Sequence, residues 1–174
     1  MVESDLHISK LDSARRQLET AVRLYFSEAD PVSIHTLTAA ARRVLIDLNK
    51  ARGGSPMGFE EYIKSEMLDE FRGYINKAGN FFKHANRDPE ETHNFNPAQS
   101  EFLLYDACSM YKDLTGELVP TLHVYAWWFA IVPGASLVDT TKTNIPEQLR
   151  TRYTHSPRSL FFQEALPLVS TFGL

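Results

Sequence analysis

From Leu11 onward, apolar residues return at three- and four-residue spacing, the period of a helix with one buried face. Leu11, Ala14, Leu18, Ala21/Val22 and Tyr25 form the first stripe, with Ser9 placed to cap it. Asp12/Arg16 and Glu19/Arg23 fall at i,i+4 on the outer face, where each pair adds at most ~0.5 kcal/mol. Asp30-Pro31 supplies a cap and a proline at the first helical position of a second helix, with Ile34, Leu37, Ala41, Val44/Leu45 and Leu48 inward. Gly53-Gly54 ends it, and Ser55-Pro56-Met57-Gly58 makes the connection. Phe59, Ile63, Met67, Phe71, Tyr74, Ala78, Phe81 and Ala85 then predict one long helix over 59–85, a spine of about 40 Å at ~1.5 Å per residue. Gly73 and Gly79 mark points where it could bend or be closely approached.

Proline divides the rest, with seven of the nine prolines at or after position 89. Asn96-Pro97 opens a fourth helix with Phe102, Tyr105, Cys108/Ser109 and Leu114 inward, closed by Gly116. Pro120 opens a fifth, running through Val132; 137–146 reads as loop, and Ser156-Pro157 caps a short helix carrying Leu160, Phe161, Ala165 and Leu166. No period-two alternation with hairpin chemistry occurs. The predicted fold is all-α: an up-down bundle of four to five helices with an extended, partly irregular C-terminal segment. At 174 residues this is one domain. Its core is expected over about 8–133, with 134–174 as an extension.

Composition adds exclusions. Hydrophobic residues at 43% and charged residues at 23% fit a globular chain. The net charge of −4 argues against a general nucleic-acid coat. Residues 1–87 carry 13 basic and 12 acidic groups and residues 88–174 carry 5 and 10, so an anion site belongs in the first half. The longest apolar run, Val124 to Val132, is nine residues against the ~20 needed to span a bilayer. The N-terminus has no signal-peptide pattern. A cytoplasmic protein without cofactor or metal is expected. Lone Cys108 excludes an intrachain disulfide and reads as a buried, inert thiol.

Several motifs fail. Gly53 and Gly58 have the phosphate-loop spacing but are followed by Phe59-Glu60. Glu90-x-x-His93 has the di-iron spacing but no second copy. His35 reads as a capping or partly buried histidine. Asp47 pairs with Arg43 at i,i+4, whereas Asp106 has no local partner and calls for a tertiary one.

The informative segment is 72–87, RGYINKAGNFFKHANR, which holds five basic or imidazole side chains and no acid. Helical spacing stacks Asn76, Asn80 and His84, with Lys77 alongside. The candidate site is therefore His84 as the catalytic or anchoring group, with Lys77, Asn80, Lys83 and Arg87 as binding residues and Asp106 as a possible orienting partner. Together they offer donors, an imidazole and fixed positive charge to RNA or another phosphate-bearing ligand. The plainer alternative is a helix end whose basic residues complement the macrodipole before Asp88-Pro89 stops it.

The run Lys77-x-x-Asn80-Phe81-Phe82-Lys83-His84-Ala85-x-Arg87-Asp88-Pro89 resembles a family of short all-helical bacterial proteins. More remotely it resembles HEPN domains, helical bundles of toxin–antitoxin and phage-defence systems. HEPN nucleases place an arginine five or six positions before the histidine; here Gly79 and Ala78 stand there. The resemblance implies a HEPN-like, non-enzymatic binding or interaction module, with a metal-independent RNase using His84 as the alternative. Self-association is expected through Trp127, Trp128 and Phe129, because two adjacent tryptophans point ~100° apart on a helix.

Overall fold

Ser9 opens the first helix as expected: its Oγ accepts from the Asp12 N–H at 3.0 Å while Asp12 accepts from the Ser9 N–H at 3.2 Å. The computed structural model describes residues 5–86, 88–133, 145–153 and 156–172. They form α1 (Lys10–Phe26), α2 (Pro31–Ala51), two 3-10 turns (Gly58–Tyr62 and Ser65–Met67), α3 (Leu68–Phe81), α4 (Ala98–Thr115), α5 (Pro120–Ile131), α6 (Glu147–Tyr153) and α7 (Arg158–Phe172). No strand occurs among the described residues, so the fold is an all-α bundle. No helix there is long and apolar enough to cross a membrane.

The α1–α2 hairpin is the framework. Asp30 caps α2 by accepting from Ser33 N–H at 2.7 Å, and Ala14, Leu18, Ala21, Val22, Ile34, Ala41 and Leu45 are buried. α4 packs on α2, and α5 on both α1 and α4. The core does not stop at 133. Phe161, Ala165 and Val169 of α7 are fully buried, and α7 covers α5 and the end of α1. The C-terminal segment is thus part of the bundle rather than an extension of it. The 137–146 loop reading lies, up to 144, outside the described residues.

Two further expectations are corrected. The spine over 59–85 is instead two 3-10 turns followed by a 14-residue helix ending at Phe81. Gly58 takes a left-handed φ of 61° and Ile63 is extended, so helical backbone cannot run through them. Partners from other helices also seize the first turn: Asp106 accepts the Phe59 N–H, and Arg42 and Arg72 bond to Glu60. Helical spacing of Phe59, Ile63 and Phe71 was real, but tertiary bonds override it.

The second correction concerns Trp127, Trp128 and Phe129, which are buried inside the chain rather than forming a surface for self-association. One groove indeed cannot hold both indoles; two do. Trp128 packs on Phe26 and Phe161, donating its Nε1–H to Tyr25 Oη at 3.0 Å, while Trp127 lies against His123. Phe129 stacks on Tyr105 at 4.2 Å. α7 supplies the second groove.

Candidate functional site

The structure brings together part of the expected constellation. Lys77 and Asn80 lie on α3; His84 follows its end, its backbone N–H still bonded to Asn80 O at 3.1 Å. These three line an open depression of about 610 Å3 with Gly73, Asn86 and His93. Asp88 and Glu91 line it too, so the window that is acid-free in sequence is not acid-free in space. All three expected residues are exposed, and the His84 imidazole has no hydrogen-bond partner among the described residues. His93 packs on Phe81, with ring centroids 5.3 Å apart. Lys83 is exposed and does not line the depression. Arg87 lies outside the described residues. No group of three potential metal ligands occurs among the described residues.

Asp106 does have a tertiary partner, but not at this site. Its carboxylate accepts from Arg42 Nε at 2.7 Å and from the Phe59 N–H at 2.7 Å. Arg42 in turn reaches Glu60 Oε1 at 3.4 Å, and Glu60 Oε2 accepts from Arg72 at 2.6 Å. Arg42, Asp106 and Glu60 are 2%, 1% and 4% exposed, so this is a buried ion network joining α2, α4 and the first 3-10 turn. Burial pushes the Asp106 carboxyl upward, and Arg42 and the Phe59 amide oppose that shift. A Cβ on Gly58 would fall 2.2 Å from Asp106 Oδ1, so glycine is required sterically as well as by its φ. Cys108 is buried in the core, and burial raises its thiol far from thiolate chemistry.

The network anchors one wall of a second cavity. Phe59, Phe71, Tyr74, Ile75, Phe102 and Leu103 enclose about 350 Å3 between α2, α3 and α4, with His35, Asn96, Ala98 and Gln99 completing the lining. His35 and Leu103, each 2% exposed, are the fully buried members and form the floor; Tyr74, Asn96 and Ala98 stand exposed at the mouth. His35 Nδ1 lies 3.2 Å from Ser100 Oγ, and Phe82 and Phe95 meet the ring edge-on. Its Nε2 is buried and has no partner among the described residues. Burial lowers the His35 pKa to about 4, helped by the positive charges of His93 and Lys83. α3 comes this close because Gly79 has no side chain: a Cβ there would sit 3.0 Å from that of Ala39 and 3.8 Å from His35 Nε2.

Of the two readings of His35, capping or partly buried, the structure bears out burial; its pairing with Ser100 is not legible in the sequence. Ser100 is 65 positions away, so the pair leaves no local pattern. His123 also has a buried Nε2 with no partner among the described residues, but its hollow sets charged Lys112, Asp113 and Glu117 beside apolar residues such as Leu122 and Trp127.

No protein-family model, curated protein or solved structure matches the chain. The functional reading therefore rests on these residues.

Proposed function

We propose that the protein is a non-enzymatic binding module that holds a small, largely apolar molecule between α2, α3 and α4. The observation that supports it is the lining: Phe59, Phe71, Ile75, Phe102 and Leu103 leave about 350 Å3 of largely apolar space beside the buried His35. The volume is at the lower end of the ~300–1,000 Å3 range of ligand pockets. Binding, not turnover, fits the lining. Its lining holds no Ser, Cys, Lys or carboxylate side chain, and the partner of His35 is a serine hydroxyl rather than a carboxylate that would stabilise an imidazolium. The expectation of a binding module is retained, and its site moves from His84 to His35.

Titration with acetophenone, followed by NMR, tests this. Saturable shifts confined to Phe59, Phe71, Tyr74 and Phe102 are expected, with an affinity of about 1 mM or tighter. Ala98→Trp, at the exposed mouth, should abolish them while the helical signal is kept. Shifts scattered over the surface, or unchanged in the variant, would sink the reading.

One observation favours a second reading. His84, His93 and Lys77 share one depression, so two imidazoles and a cation could serve phosphodiester cleavage as acid, base and charge stabiliser. A metal-independent RNase would cleave a labelled RNA pool in EDTA and lose ~100-fold or more in His84→Ala and His93→Ala. The binding-module reading expects no cleavage above background in any of the three proteins. Metal-independent turnover that disappears in both variants would replace it.

A further inference from the structure

Resting on that reading, we infer that the cavity takes an aromatic molecule with one uncharged polar end, held ring-inward with that end at the mouth. The walls call for the ring. Phe59 meets Tyr105 and Phe102 meets Phe129, with ring centroids 6.4 Å and 5.2 Å apart. Phe71 and Tyr74 line the same cavity but meet no other ring among the described residues. A ligand ring supplies the edge-to-face or offset partner that they lack. Each such pair contributes about 0.5–1.5 kcal/mol beyond the area it buries.

The polar groups decide the other end. Phe59, Phe71, Ile75, Phe102 and Leu103 have side chains of carbon alone. Tyr74 and Asn96 are exposed and Gln99 is half-buried, so these three line the cavity and face water at once. A ligand group at the mouth therefore reaches them. Asn96 Oδ1 accepts the Ala98 N–H at 3.0 Å, and its Nδ2 has no partner among the described residues. Gln99 Nε2 lies 3.5 Å from Tyr74 Oη, the limit of a hydrogen bond, and its Oε1 has no partner there either. The mouth thus presents a donor, an acceptor and a hydroxyl that is both. No side chain of the lining is an acid, a lysine or an arginine, so an ionic head gains no ion pair from it. A carboxylate uses only the donors and an ammonium only the acceptors. A primary amide or a hydroxyl uses both.

Four probes built on one phenyl ring separate this inference from the reading beneath it: ethylbenzene, phenylacetamide, phenylacetate and para-hydroxyphenylacetamide. Their binding is followed by the NMR shifts of Phe71, Tyr74 and Phe102. Phenylacetamide is expected to bind about twofold to tenfold tighter than ethylbenzene, the worth of one net hydrogen bond, and tighter than phenylacetate. The para-hydroxy probe sets a hydroxyl among walls of carbon and should bind about fivefold weaker than phenylacetamide, or worse. In Gln99→Met the preference for the amide should shrink while ethylbenzene still binds. Nuclear Overhauser contacts read the orientation in the wild-type protein, requiring no variant to fold. The para hydrogen of phenylacetamide should lie near Leu103 and its methylene near Tyr74. Ethylbenzene or phenylacetate binding as tightly as the amide, a para hydroxyl that costs nothing, an amide preference unchanged in Gln99→Met, or a reversed orientation overturns the inference and leaves an apolar binding site. Failure of all four probes to shift the cavity residues removes the site itself.

Discussion

Asp106→Ala is expected to lower the unfolding free energy by about 3–5 kcal/mol, as measured by urea denaturation. The loss exceeds one salt bridge because two groups are orphaned together. Arg42 keeps its charge in a site where it is 2% exposed, and its remaining partner is Glu60 at 3.4 Å. The Phe59 N–H loses its acceptor as well. At ~2–4 °C per kcal/mol for a chain of this size, the melting temperature should fall by about 10 °C. The pair as a whole is a different matter, since desolvation offsets much of its Coulomb gain. The double variant Arg42→Met, Asp106→Leu should therefore recover much of the loss, with Glu60 still held by Arg72 at 2.6 Å. A fall of less than 1 kcal/mol in the single variant would mean that the network is not stably ionised in the folded chain.

Acidification is expected to destabilise the protein well above the range where carboxylates titrate. The His35 pKa is held near 4 in the folded chain against its ordinary 6.5. Above pH 6.5 the imidazole is neutral in both states and its contribution is complete. Between 6.5 and about 4 the unfolded chain takes up the proton first, so stability falls at up to ~1.4 kcal/mol per pH unit. The total is on the order of 3 kcal/mol, and below pH 4 this group adds no further loss. His123, also lowered by burial, acts in the same direction. The depressed carboxyls of Asp12 and Asp30 lose their contribution only as pH falls below about their ordinary 3.8. The decisive measurement is thus the difference in slope between the wild-type protein and His35→Phe over pH 4 to 6.5. Parallel slopes would show that His35 titrates normally and that its site is wet.

Local rules read much of this chain correctly. The α1 stripe, the Ser9 and Asp30 caps and the Gly116 stop all depend on residues within a few positions of one another, and all occur. Asp47 pairs with Arg43 as its spacing requires. Failures came where a distant group competed. Phe59 to Met67 has a helical apolar period, but Asp106, 47 positions away, takes the Phe59 N–H. The tryptophans read as a surface because they point ~100° apart on one helix, and nothing local shows that Phe161 of α7 closes over Trp128. Two residues did carry usable signals. Asp106 lacks a local partner, and Arg42 lies at an inward position beside Ala41, where an arginine needs a buried acid. Pairing those two would have brought α2 and α4 together from sequence alone. The His35–Ser100 pair has no comparable signature, since both residues are ordinary in their local settings.

The ion network has a consequence for how the two concave sites answer to solution conditions. Charges that hold the Phe59 wall in place are buried beyond the reach of counterions, so added salt leaves the His35 cavity with the same shape and the same neutral floor. Lys77, Asp88 and Glu91 are exposed, and their fields are screened over the ~8–10 Å Debye length of physiological salt. Ionic strength is therefore a label that distinguishes the sites without a mutation. An activity of this protein that fades with salt belongs to the surface around His84, and one indifferent to salt belongs to the cavity above His35.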